Sequence, residues 1–165
     1  MKTAFRLVLF AAVAVLGFWL WTILFPGPEK VIRGKMASLA AIATVGPGDS
    51  SLNRAAKAAN LVSQFTDDAQ ISLDALGQGV RTISGRDEIR ENSCAGFAAL
   101  SALKVEFLDV TVQFDADQLG ADVSCTARVY VGDSKDYGVQ EMRFQFKRTG
   151  QDWLISRVKT VKTLS

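Results

Sequence analysis

The sequence predicts an α+β protein: an N-terminal transmembrane helix, then about three helices, then an antiparallel sheet. Three observations lead to this class. An apolar stretch of nineteen residues without a charge lies close to the N-terminus. The segments that follow it repeat apolar residues at helical spacing. About 60 residues at the C-terminal end alternate apolar and polar side chains, which is the period of a strand with one buried face.

The apolar stretch, residues 7–25, is long enough to cross a bilayer, since nineteen residues at 1.5 Å each span about 30 Å. Its end carries Trp19, Trp21 and Phe25, where a signal peptidase requires small side chains. We therefore expect an uncleaved signal-anchor behind a short tail, residues 1–6. The alternatives are a poorly cleaved signal peptide and a buried core helix, although the stretch is apolar on every face.

The orientation of this predicted anchor rests on its short cationic leader. Cations lie on both sides of the span: Lys2 and Arg6 before it, and Lys30, Arg33 and Lys35 after it. The positive-inside rule therefore does not decide, but the leader favours a cytoplasmic N-terminus. We expect a single-pass protein of the bacterial inner membrane. A linker, residues 26–29, would lead to a periplasmic domain, residues 30–165.

Composition excludes several classes of function. With 19 basic and 17 acidic residues and no basic run, the chain lacks the signature of a nucleic-acid-binding protein. It has no histidine, which excludes Ser-His-Asp and Cys-His catalysis and the HExxH zinc site. We expect no metal and no cofactor. Cys94 and Cys125 could pair in an oxidising compartment or remain separate buried thiols.

Three amphipathic helices are predicted before the strands. The first buries a stripe of Ile32, Met36, Leu39 and Ala43. The second is capped by Asp49 or Ser50, and its stripe is made mostly of small residues: Leu52, Ala55, Ala59 and Val62. We expect these two to form a helical hairpin. The third begins with a capping box, Ser84-x-x-Asp87, and buries Ile89, Phe97 and Leu100.

A short strand candidate, "AQISL", and a second short extended piece in "LGQGVRTIS", which also offers a glycine turn, precede four longer strands. Short Gly- and Asp-rich links join the four runs, which predicts an antiparallel meander with one buried and one wet face. The apolar positions that share the buried face are Leu108, Val110, Val112 and Phe114 in the first run, Ala121, Val123, Cys125, Ala127, Val129 and Val131 in the second, and Met142, Phe144 and Phe146 in the third.

The order of elements, with "TISGRDEIRE" opening a helix and "WLISRVKTV" ending the domain, resembles the nuclear transport factor 2-like superfamily, to which SnoaL-like domains belong. The resemblance covers about residues 28–164. It implies a cystatin-like fold, a cone in which helices pack over the concave face of a curved sheet. Some members are enzymes and many are binding or assembly modules, so the fold alone does not assign a function.

The resemblance also places a ligand pocket inside the cone. By strand parity its walls would be Val123, Cys125, Ala127, Met142, Phe144 and Phe146. These carry no acid or base apart from Cys125, whereas Asp109, Asp122 and Glu141 face water, so the pattern favours a non-catalytic domain. We expect a membrane-anchored binding or assembly domain with a homodimer or envelope protein partner. The alternatives are a binder of a small apolar ligand or lipid, and a SnoaL-like enzyme.

The contact surface of such a module would be the wet face of the sheet. It carries Asp122, Ser124, Thr126, Arg128, Tyr130, Glu141, Arg143, Gln145 and Lys147.

Overall fold

The computed structural model describes residues 15–16, 27–74, 79–132 and 136–161. Three helices pack on a curved six-stranded sheet within residues 27–161. The helices are α1 (Pro28–Ala43), α2 (Ser51–Val62) and α3 (Arg86–Ala99). The strands are β1 (Phe65–Asp74), β2 (Val80–Ser84), β3 (Leu103–Phe114), β4 (Gly120–Val131), β5 (Tyr137–Thr149) and β6 (Asp152–Thr160). The predicted α+β class is confirmed.

The predicted membrane anchor falls almost wholly outside the described residues. Of residues 7–25, Val15 and Leu16 alone are described; both are helical and exposed. Among the residues that the structure describes, no helix is long and apolar enough to cross a membrane.

Helix α1 buries the face that its sequence predicts. Ile32, Met36 and Leu39 are at most 5% exposed, and Ala43 is half-buried. Pro28 occupies the first helical position, where its missing N–H has no intrahelical partner to lose. This stripe forms part of the domain core.

Helix α2 turns a different face inward from the predicted one. Leu52 is 77% exposed, while Ala58 and Val62 are buried. The helix also packs mainly on α3 and not on α1, so the expected hairpin of the first two helices is wrong. Alanines on several faces leave the helix without a decisive apolar stripe. Ser50 caps the helix as predicted, accepting a hydrogen bond from the Asn53 backbone N–H at 3.2 Å.

Helix α3 begins without the expected capping box. Its N-cap is Gly85, which has a positive φ of 83° and no side chain to cap with. Glu88 instead accepts a hydrogen bond from the Ser84 backbone N–H at 2.8 Å. Ile89 and Phe97 are buried as predicted, and Phe97 joins a small core with Val45 and Ala58.

The six strands form one sheet in the order β2-β1-β6-β5-β4-β3. The meander of β3 to β6 is antiparallel, as predicted. The sheet as a whole is mixed, because β1 pairs with β6 in parallel. A prediction of a purely antiparallel sheet is therefore wrong at this one pairing. Helix α3 lies between β2 and β3 in the chain, and β1 and β2 form a hairpin that extends the sheet beyond β6.

A bulge in β3 changes which side chains share a face. The register shifts between Leu108 and Thr111, and Asp109 adopts a positive φ of 53°. Before the bulge Leu108 pairs with Thr126, on the outer face. The expected set is therefore corrected: Phe107 replaces Leu108 on the inner face, because one extra residue reverses the alternation.

Candidate functional site

The six predicted pocket residues lie together on the inner face of the sheet. Register pairs Val123 with Phe144, Cys125 with Met142, and Ala121 with Phe146. All six are buried except the half-buried Met142. Their role as ligand-binding residues stays a prediction.

The centre of this face is packed with side chains. Phe144 is 3% exposed and meets Phe107 edge to face, with ring centroids 5.4 Å apart. Four cavities in the described part of the chain have volumes of about 650, 430, 260 and 200 Å³, and none of these four is lined by Val123, Ala127 or Phe144. The aromatic pair occupies space that a ligand would need.

The cavity between α1 and β3 is the smallest of the four, at about 200 Å³. Its walls are apolar apart from one arginine: Arg33, Met36, Ala37, Ala40, Phe107 and Val110. Arg33 Nη1 donates a hydrogen bond to the Val110 carbonyl at 2.7 Å. Small-molecule sites usually measure about 300–1,000 Å³, so this cavity has room for only a very small ligand.

The two cysteines are free, so the structure contains no bond between them. Cys94 is exposed, which corrects the alternative of two buried thiols, and Cys125 is buried. Burial raises the pKa of the Cys125 thiol to about 12. Because the thiolate is the nucleophilic form, Cys125 is unsuited to nucleophilic catalysis at neutral pH.

In the part of the chain that the structure describes, the carboxyl groups with displaced pKa values are all displaced downward. Side-chain hydrogen bonds from Lys57, Lys104 and Lys35, in that order, lower the pKa of Asp49, Glu106 and Asp152, and the pKa of Asp68 is lowered as well. A general base working near pH 7 needs the opposite displacement. These four groups therefore carry no signature of acid–base catalysis.

Three acids come together at the turn between β3 and β4. Asp115, Asp117 and Asp122 line a cavity of about 430 Å³ with Lys147. The turn is held by its own bonds: Asp117 Oδ1 accepts from the Leu119 backbone N–H at 2.9 Å. Within the described ranges, no three acidic or cysteine side chains are arranged to hold a metal ion.

The outer face of the sheet carries a second cluster, built of charged and aromatic side chains. Lys104 Nζ lies 2.8 Å from Glu106 Oε1, and Arg128 Nη1 lies 3.7 Å from Glu106 Oε2. Lys104 and Arg128 also cover the rings of Tyr130 and Tyr137, at 5.4 and 4.9 Å from the centroids. We call these five residues the outer cluster.

The outer cluster holds its groups in place before any partner arrives. The Lys104 ammonium lowers the pKa of Glu106, while Glu106 raises that of Lys104. The two tyrosine rings lie 5.4 Å apart. Next to them Val139 remains 58% exposed, and Tyr137 is itself 52% exposed. Tyr and Arg, together with Trp, are enriched among the residues that contribute most of the binding energy at protein interfaces.

The contact surface predicted from the sequence included Arg128 and Tyr130 but not Tyr137. In the structure Tyr137 is the first residue of β5 and pairs with Tyr130. The parity of Glu141 and Arg143, extended back by four residues, would have placed Tyr137 beside them on the outer face. The turn-type sequence before it, "GDSKD", concealed where the strand begins.

The largest of these four cavities, about 650 Å³, is a groove between α2 and α3. Arg54 lies in its wall and donates hydrogen bonds to the carbonyls of Phe97, Leu100 and Ser101. These are carbonyls at the C-terminal end of α3, which lack intrahelical donors. The guanidinium group of Arg54 is therefore bonded to backbone carbonyls and has a structural role.

Solved structures of similar shape include proteins with a cystatin-like fold. A nuclear transport factor 2-like protein with a cystatin-like fold from Novosphingobium aromaticivorans matches with a TM-score of 0.62 and 20% identity, over 92% of this chain and 86% of that one. Two more from this organism are a candidate aromatic ring hydroxylase (0.60, 19%, 82% and 88%) and a candidate scytalone dehydratase (0.58, 11%, 82% and 84%). At these identities the likeness concerns the fold.

The family follows from the sequence itself. The family model of the SnoaL-like domain matches residues 52–159, which is more than half of the chain. The chain therefore belongs to the SnoaL-like family, as the resemblance predicted. No curated protein matches the chain.

Proposed function

We propose that this protein is a non-catalytic, membrane-anchored binding domain that holds a protein partner on the outer face of its sheet. The observation that carries the proposal is the outer cluster: Arg128, Tyr130 and Tyr137 are fixed by mutual contacts beside the exposed Val139. A surface that is ordered beforehand loses little side-chain entropy on binding. The packed inner face, with its neutral Cys125, supports binding over catalysis.

Site-specific photo-crosslinking in cells tests this proposal. A photo-reactive amino acid at Val139 should give a discrete crosslinked product, because this side chain stands exposed beside the cluster. Twice the chain mass would indicate a homodimer, and another mass an envelope protein. Leu52 on α2, 77% exposed, is the matched control position and should give none. Absence of a product at Val139 would contradict the proposal.

The anchor is part of the same proposal, with residues 7–25 crossing the inner membrane and the domain in the periplasm. It is supported by the length and uncharged character of that stretch. The full chain should resist carbonate extraction and keep its original N-terminus. A mature N-terminus near residue 26 would show a cleaved signal peptide instead. A phosphatase fusion after Ser165 should be active if the domain is periplasmic.

A second candidate, the binding of a small apolar ligand, is favoured by the cavity under α1. Phe107 and Met36 supply apolar walls. A Phe107→Trp variant that fills the cavity should abolish binding of a small apolar probe dye. Retained binding would place the site elsewhere.

The third candidate, a SnoaL-like enzyme, rests on the two neighbours described as a candidate hydroxylase and a candidate dehydratase. Asp115, Asp117 and Asp122 would be the carboxylates to test for it, since they share one cavity.

A further inference from the structure

Cross-strand register on the outer face places six hydrogen-bond donors in one continuous row. Thr111 pairs with Ser124, Ser124 with Arg143, and Arg143 with Lys159. Lys159 then pairs with Ser72, and Ser72 with Thr82. We call these six residues the donor row. It crosses every strand of the sheet, one residue per strand, and contains no carboxylate and no aliphatic or aromatic residue.

The centre of the donor row opposes two positive charges. Arg143 and Lys159 are direct register partners, and like charges directly opposite each other destabilise a sheet. In the described part of the chain no salt bridge joins either cation to a carboxylate. Arg157, in the next row, lies on the same face and reaches Gln70 Oε1 at 3.4 Å. The carboxylates of this face lie outside the donor row: Asp122 and Glu141 stand in neighbouring rows, and Glu141 lines a cavity together with Arg143.

Hydroxyl groups flank both cations. Ser124 beside Arg143 is exposed, and Ser72 beside Lys159 contacts Thr82 Oγ1 at 3.2 Å. Charge-assisted hydrogen bonds from Arg and Lys to an oxyanion are the strong ones, and hydroxyl donors can complete its coordination. A carboxylate seated between Arg143 and Lys159 would remove their repulsion and meet donors on both sides.

We infer that the donor row binds an acidic, extended segment of a partner protein, with one carboxylate held between Arg143 and Lys159. This rests on the proposed function and names the chemistry of its partner. A second copy of the chain fits less well, since face-to-face pairing centred on the row would bring its cations together. Nucleic acid fits less well too, because non-specific duplex binding engages about 6–10 phosphates and the row holds two cations.

The chemistry is tested with a labelled octapeptide of alternating Glu and Thr, titrated against the full chain in zwitterionic nanodiscs. In an extended peptide all the Glu side chains face one way. The double variant Arg143→Gln/Lys159→Gln should weaken binding at least about tenfold. A matched double variant, Lys147→Gln/Arg148→Gln, removes the same charge from β5 outside the row and should change affinity less than about twofold.

Three results would overturn the inference. These are equal loss in both double variants, no binding of the peptide by the wild type, or tighter row-dependent binding of duplex RNA or anionic vesicles than of the peptide. The melting temperature provides a further test. Arg143→Gln should leave the melting temperature unchanged or raise it by about 1–3 °C, since a like-charge pair is removed. A fall would show that the two cations do not repel.

The two proposals can fail separately. The inference about the donor row fails alone if the Val139 crosslink forms both in the wild type and in Arg143→Gln/Lys159→Gln while the peptide does not bind. The partner would then use the outer cluster without the donor row. If no crosslink forms in the wild type, the proposed function itself is wrong.

Discussion

Replacing Phe144 by alanine tests the assignment of the inner face. Phe144 is 3% exposed, lies between Val123 and Val158 in register, and meets Phe107 edge to face. Loss of the buried ring costs about 2–3 kcal/mol in transfer free energy, and the aromatic pair adds about 1 kcal/mol. The cavity left behind brings the total to about 3–5 kcal/mol.

The measurement is urea unfolding of the full chain in mild detergent, followed by circular dichroism. Val139→Ala on the same strand is the control, because Val139 is 58% exposed and its loss should cost less than about 0.5 kcal/mol. A cost below about 1 kcal/mol for Phe144→Ala would refute the packing described here, since a ring in an open cone would leave no cavity on removal.

Three further predictions concern thiol reactivity, acid stability and helix capping. Cys94 should react with a thiol reagent in the native protein at pH 8. Cys125 should react only after unfolding, because burial raises its pKa to about 12. Rapid reaction of both cysteines in the native protein would contradict this prediction. The hydrogen bond from Lys57 lowers the pKa of Asp49. Asp49 should therefore stabilise the fold at pH values above the ordinary carboxyl pKa, and this contribution should be lost below about pH 4. In melting curves against pH, Asp49→Asn should therefore destabilise more at pH 6 than at pH 2.5; an equal loss at both would contradict the ion pair. Arg54→Met should cost about 1–3 kcal/mol in unfolding free energy, because carbonyls at the end of α3 lose their donor; an unchanged midpoint would show that water replaces it.

Strand parity alone was sufficient to place the inner face of β4 and β5. Val123, Phe144 and Phe146 alternate with polar residues at period 2, and burial of one face fixes that register. The same rule misplaced Leu108, because the bulge at Asp109 adds one residue to the strand and the pattern of apolar residues does not predict it.

Helix α2 shows a second limit of sequence patterns. Its alanines permit several faces, and the face turned inward also carries Lys57, whose ammonium reaches the Thr44 carbonyl at 2.7 Å and Asp49 at 2.6 Å. Long cationic side chains can lie along a packed surface when their charge is met at the end. That partner belongs to another segment of the chain, so the helix sequence alone does not reveal it.

What the sequence by itself determined was the family, the element order, the buried faces of the central strands and the apolar stretch at residues 7–25. What only the tertiary structure decided was how strands meet: the parallel pairing of β1 with β6, the outer cluster and the donor row. Local periodicity tells which side of a strand is buried. Which residue stands opposite which depends on register between distant segments, and register sets where Arg143 meets Lys159 and where Tyr130 meets Tyr137.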